Sequence, residues 1–259
     1  MRLHVDERGE PGLPVGVVIH SAGLIGSETV DIFGLGIDGF RVLAPDRTNY
    51  GQSPRSTTGG TGRSQGGVAE VSMIEDDAEA IAELLGDGGH LFGYSYGGIV
   101  ALVIAARYPD RVRSLSLLEP PAMQLLNDGP ALATRQRIEA ALDQDFADTL
   151  SYWRAFMTGA FGDPPMPPDA VPADRQEASR REQSPWEVDI DLNAIAAAGV
   201  PTLVICGGWD PGFQAVGAHL TAALAARYVE FPDADHFFFN NAADIGREVE
   251  QWWRRHEAK

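Results

Sequence analysis

Short apolar runs rich in branched side chains recur along the chain at Val15 to His20, Arg41 to Ala44, Gly89 to Phe92, Val112 to Leu118, Thr202 to Cys206 and Tyr228 to Phe231. Runs of this length with little polar alternation are what strands buried on both faces look like in sequence. Between them, apolar residues return at helical spacing: Val71, Ile74, Ala78, Ile81 and Leu85, then Ile99, Val100, Val103 and Ile104. Strand therefore alternates with helix. Consecutive parallel strands need long crossovers that lay helices on the sheet faces. The pattern predicts an α/β fold built on a mostly parallel, doubly wound sheet.

Two stretches break the rhythm. Ser56 to Gly67, STTGGTGRSQGG, has almost no apolar content and abundant glycine, and is expected to be a mobile surface loop. The second stretch, 122–189, shows helical patterns over Leu132 to Leu142 and Phe146 to Phe156, then the proline-rich GDPPMPPDAVP. It is expected to be a helical cap inserted into a core formed by 1–121 and 190–259. After it, Leu192 to Ala198 resumes the core pattern, with Gly199 as a helix stop and Pro201 before the next strand. There are no internal repeats.

Composition narrows the function without naming it. A chain of 259 residues with 44% hydrophobic and 22% charged residues can bury one large core. The formal net charge of −17 opposes binding to nucleic-acid phosphates or anionic lipid surfaces, so neither is an expected partner; a small-molecule substrate is. The single cysteine, Cys206, lies inside an apolar run and reads as a small buried hydrophobe. MRLHVDERGEPG at the start is charged and holds no apolar signal segment, and no apolar run reaches spanning length. A cytoplasmic location is expected. No metal-ligand spacing and no dinucleotide-binding glycine pattern is present, so no cofactor and no metal are expected.

The candidate chemistry begins at Gly93-Tyr94-Ser95-Tyr96-Gly97, placed between a short apolar strand and a strongly apolar helix. A serine in G-x-S-x-G at a strand-to-helix turn is lifted above the sheet edge, and the flanking glycines let neighbouring backbone approach. Ser95 is the candidate nucleophile. IHSAGLIGS, APDRTNYGQS, FGYSYGGIVAL, YPDRVRSLSLLEPP, PTLVICGGWD and FPDADHFF follow in order over nearly the whole chain. Together they resemble the successive landmarks of the alpha/beta-hydrolase family, which implies the alpha/beta-hydrolase fold and a serine-hydrolase type of site.

That resemblance implies further roles. His236, in DADHF after the last strand, stands where the family has its catalytic histidine, the general base that a weakly nucleophilic serine requires. The orienting acid has two candidates, because the family takes it from either of two strand ends. Asp210 follows the run Thr202 to Cys206, and Glu119 follows Val112 to Leu118. The surrounding GGWDPGFQAV resembles members whose later strand does not carry the acid, which favours Glu119 while leaving Asp210 open. His20-Ser21-Ala22-Gly23 resembles the family's oxyanion turn, so the backbone N–H groups of Ala22 and Tyr96 are the candidate oxyanion donors. Ser21 stands where glycine is usual, and His20 itself reads as architectural.

In the cap, Tyr152, Trp153, Phe156, Met157 and Phe161 are either one wall of a pocket above Ser95 or the cap's own core. The expected function is hydrolysis of a carboxylic ester, lactone or thioester of a mainly apolar small molecule through an acyl-serine. A lyase or cyclase using the same pocket, or a small-molecule receptor on the same fold, are the alternatives.

Overall fold

Seven strands form one sheet in the order β1-β3-β2-β4-β5-β6-β7, where β1 is Val5–Arg8, β2 Val15–Ile19, β3 Arg41–Pro45, β4 Gly89–Tyr94, β5 Val112–Leu118, β6 Thr202–Gly207 and β7 Arg227–Phe231. Every pairing is parallel except β1 against β3. This computed structural model describes residues 2–56, 73–162 and 166–257. The expected loop beyond Ser56, with Val71 of the expected helix, lies outside the described residues, as do three residues of the proline-rich segment.

The six anticipated runs are all strands, and the alternation within them explains why they carry so few polar residues. On β2, Val17 and Ile19 pack with one cluster and Val18 with the other; on β6, Val204 and Cys206 face one way, Leu203 and Ile205 the other. Both faces are covered. Helices α2 (Ile74–Ala82), α3 (Tyr96–Arg107), α7 (Leu192–Ala198) and α8 (Pro211–Leu224) build the first cluster; α1 (Gly26–Phe33) and α9 (Ala242–Glu257) build the second. The strand not anticipated is β1, whose VDER is partly exposed. As an antiparallel edge it carries charges that blunt the open side of the sheet, so it lacks the apolar signature of its neighbours.

Between β5 and α7 lie α4 (Gly129–Leu142), α5 (Thr149–Phe161) and α6 (Ala173–Arg180). Their starts differ from the apolar pattern because capping chemistry sets them. Pro130 occupies the first turn of α4, where its missing N–H costs nothing. Asp148 accepts from Ser151 N–H and opens α5 in a reciprocal capping box, leaving Phe146 outside the helix, edge-on against Tyr152. These helices share their own apolar cluster, with Ile138, Leu142, Tyr152, Trp153 and Met157 buried in it. The cap pattern had two readings, core or pocket wall, and both hold: Tyr152 is wholly buried while its neighbours reach the site below.

Candidate active site

The chain turns from β4 into α3 at Ser95, which has φ 51° and ψ −119°. A non-glycine residue held there costs about 1–3 kcal/mol, so the surroundings must over-determine it. They do: Ser95 N–H donates to Leu118 O at 2.8 Å, and Gly98 N–H donates to Ser95 O at 2.8 Å. The two elbow glycines are demanded by close approach. A Cβ on Gly93 would stand 2.6 Å from Gly97 O, and one on Gly97 would stand 2.3 Å from Ile19 O.

Ser95 Oγ lies 2.9 Å from His236 Nε2. His236 occupies the turn after β7, almost fully buried, with its own carbonyl accepting from the Tyr94 hydroxyl at 2.7 Å. Its Nδ1 is 2.6 Å from Glu119 Oε2. A carboxylate can only accept, so the proton belongs on Nδ1 and the lone pair on Nε2 faces the serine hydroxyl. Glu119 directly follows β5 with φ 44° and is 1% exposed. Its buried charge is satisfied further by Gly207 N–H at 2.6 Å and by Trp209 Nε1–H at 3.1 and 3.0 Å to its two oxygens.

Of the two candidate acids, Glu119 is the one hydrogen-bonded to His236. Asp210 caps α8 instead, accepting from Gly212 N–H at 2.7 Å and Phe213 N–H at 3.1 Å. It also accepts from the Thr134 hydroxyl at 3.0 Å and from Arg137 at 2.9 Å, and so joins α4 of the cap to the core.

The candidate oxyanion residues flank the serine. Ala22 lines the cavity with Ser21, and Tyr96 opens α3, where backbone N–H groups have no intrahelical acceptor. His20 is buried beneath the turn. Its Nε2 accepts from Arg47 N–H at 2.9 Å, which leaves Nδ1–H to donate to Ser21 O at 2.8 Å. Burial, then the neighbouring Arg47 charge, push its pKa well below the ordinary value of 6.5, so the ring is neutral.

Above Ser95 is an apolar cavity of about 80 Å³. Trp153, Phe156, Met157 and Phe161 from α5 form its roof, and Phe237 and Phe239 form a side, with Phe239 48% exposed at the rim. Phe161 stacks on the His236 ring, centroids 4.7 Å apart and planes 20° apart. Sequence reasoning missed Trp209 as a partner of Glu119, and Arg47, Tyr50 and Glu182 below the turn. An arginine two residues past the end of a strand, as in APDR, offers no local sign that it will be wholly buried. Among the described residues, no group of three or more His, Cys, Asp or Glu could hold a metal ion, and no helix is long and apolar enough to cross a membrane.

The sheet, the serine elbow and the chain order Ser95, Glu119, His236 define an α/β protein of hydrolase type. The description "alpha/beta hydrolase family" matches residues 17–247, and the chain belongs to that family. It is 30% identical to the pimeloyl-[acyl-carrier protein] methyl ester esterase of Chromobacterium violaceum, over 95% of this chain and 96% of that one. It is also 31% identical to epoxide hydrolase A of Mycobacterium tuberculosis, a match that spans 53% of this chain and less than half, 41%, of that relative. Among solved structures, a hydrolase from Pseudomonas aeruginosa PA01 superimposes with a TM-score of 0.68 at 24% identity, covering 96% of this chain and 92% of the other. At this identity the superposition speaks to the fold alone.

Proposed function

We propose that this protein is a serine hydrolase that cleaves a carboxylic ester, lactone or thioester of a small, mainly apolar molecule through an acyl-serine intermediate. The observation that carries the reading is the unbroken line from Ser95 Oγ through His236 to Glu119, at 2.9 and 2.6 Å, on the floor of an apolar cavity.

In this mechanism Ser95 Oγ attacks the acyl carbon while His236 Nε2 takes its proton. Glu119 stabilises the imidazolium and holds the tautomer that can accept. The carbonyl oxygen becomes an oxyanion within reach of Ala22 N–H and Tyr96 N–H, then collapses as His236 protonates the leaving group. Water, activated by the same imidazole, attacks the acyl-serine and releases acid. The cavity's described lining residues include no Lys, Arg, Asp or Glu. A carboxylate carried into it would lose its hydration without gaining a counter-charge, so the acyl group is neutral. The esterase-named relative supports ester cleavage as the reaction class.

The test is covalent labelling. Incubation with a fluorophosphonate should add one phosphonyl group by intact mass, mapped to residue 95 and absent from Ser95→Ala. Folded parent protein that takes no label would refute an activated serine.

A further inference from the structure

Arg47 and Glu182 are an ion pair at 2.6 Å with side chains 0% and 1% exposed, joining the loop after β3 to the segment after α6. A buried pair of this kind adds little stability over an apolar pair of the same volume. Its value must therefore lie in what the guanidinium holds. Arg47 Nε donates to His20 O at 3.1 Å and Nη2 donates to Ser21 O at 3.3 Å. Its backbone N–H, bonded to His20 Nε2, also fixes the tautomer whose Nδ1–H holds Ser21 O.

The peptide plane turns this grip into aim. Ser21 C=O and Ala22 N–H belong to one trans peptide unit and point in opposite directions. Two donors holding Ser21 O from below, one on His20 and one on Arg47, thereby direct Ala22 N–H to the opposite side. The second candidate donor is braced by the same cation: the Tyr96 ring lies 4.5 Å from the guanidinium, and the Tyr96 hydroxyl donates to Gln183 O at 2.8 Å. Glu182 is held in turn by the Tyr50 hydroxyl at 2.8 Å and the Ser179 hydroxyl at 3.4 Å.

We propose that Arg47, anchored by Glu182, is the positioning residue of the oxyanion hole, so that seating of the 182–183 segment and alignment of both N–H donors are one event. The inference rests on the serine-hydrolase reading. Arg47 touches no reacting atom; it acts through the turn, so its loss falls on the transition state and leaves ground-state binding nearly intact.

The experiment compares the parent with Arg47→Lys, which keeps the charge but not the fork, and Glu182→Gln, which keeps an acceptor oxygen but not the charge. Each is assayed with p-nitrophenyl butyrate. Each is also titrated with 1,1,1-trifluoro-2-hexanone, whose carbonyl carbon bonds to Ser95 Oγ as the serine proton passes to His236 and the carbonyl electron pair becomes an oxyanion. 2-Hexanone serves as the ground-state match.

For Arg47→Lys, kcat should fall about 10- to 100-fold, KM should move less than about threefold, and trifluoroketone affinity should fall in step with kcat/KM while 2-hexanone affinity stays put. Glu182→Gln should show the same pattern, about three- to tenfold, and carries the test alone if Arg47→Lys does not fold. A folded variant whose kcat and trifluoroketone affinity stay within about twofold of the parent overturns the role of Arg47. A parent that binds the trifluoroketone equally well with Ser95→Ala overturns the hydrolase reading beneath it.

Discussion

Replacing Glu119 by glutamine removes one charge while keeping size and most contacts, and its cost follows from the geometry around it. The carboxylate accepts from Gly207 N–H at 2.6 Å, from the Trp209 indole, and from His236 Nδ1 at 2.6 Å. A glutamine has one accepting end. If its oxygen faces Gly207, its NH2 group faces Nδ1; the imidazole must then carry its proton on Nε2 and cannot take one from Ser95. If the amide turns over, NH2 meets the Gly207 N–H donor instead. The wrong tautomer at a serine–histidine pair lowers kcat about 10⁴-fold, or about 5.5 kcal/mol of barrier. Asp210→Asn is the matched control, because it keeps the capping oxygen of α8 but weakens the tie to Arg137. It should hold kcat within about threefold and lower stability by about 0.5–2 kcal/mol. Burst and steady-state hydrolysis of a p-nitrophenyl ester, with urea melts of the same samples, read both. Loss of activity in Asp210→Asn matching that in Glu119→Gln would refute the assignment of the acid.

Other expectations concern the turn, the elbow and the cavity. His20 has its folded pKa below its unfolded one, so its stabilising effect is complete above about pH 6.5 and is lost as the pH falls, by up to about 1.4 kcal/mol per pH unit while only the unfolded chain takes the proton. Unfolding free energies from urea melts should stay nearly level from pH 7.5 to 6.5 and then fall, by about 1.4 kcal/mol in all by pH 5.5, and the fall should be shallower in His20→Gln; an unchanged fall would assign the proton elsewhere. Gly97→Ala places a methyl group against Ile19 O and His20 O, and should lower stability by about 1–3 kcal/mol in urea melts and cut turnover, whereas parent-like values would mean the elbow can relax. Phe161→Ala opens the roof above His236 and should move the preferred p-nitrophenyl ester to longer acyl chains; an unaltered chain-length profile would place the acyl group away from Phe161.

The sheet was legible because strands buried on both faces cannot hide their composition, and the meeting of Ser95 with His236 because the turns that carry them are short and local. The choice between Glu119 and Asp210 was only partly legible: the resemblance of GGWDPGFQAV favoured Glu119, and nothing local decided it. Both follow apolar strands, and what separates them is the direction of a side chain across the strand ends, which depends on φ 44° at Glu119 and on the Trp209 indole. The Arg47 network was hidden for a different reason. Its partners come from positions 20, 21, 96 and 182, and no local pattern announces a charge that is compensated from so far along the chain. Strand β1 was missed because edge protection replaces the apolar signal with charge.

The location of Glu119 and the attachment of α4 are connected. Ser95, Glu119 and His236 follow β4, β5 and β7, three strand ends on the same edge of a parallel sheet, and β6 lies between the last two. With Glu119 after β5 as the partner of His236, the end of β6 supplies donors to it, Gly207 N–H and Trp209 Nε1–H, in place of a carboxylate. Asp210, one residue further on, is thereby released to take Thr134 and Arg137 of α4. Arg47 and Glu182 form a second polar tie where the chain leaves α6. The stretch that carries α4, α5 and α6 is thus joined to the residues around the sheet by directional bonds at α4 and after α6. Apolar contact alone would let α5 slide over the cavity, because hydrophobic burial has no preferred direction. These polar ties, with those of Gln183 to Tyr96 and Ile74, fix its register, and with it the places of Trp153 and Phe161 above the serine.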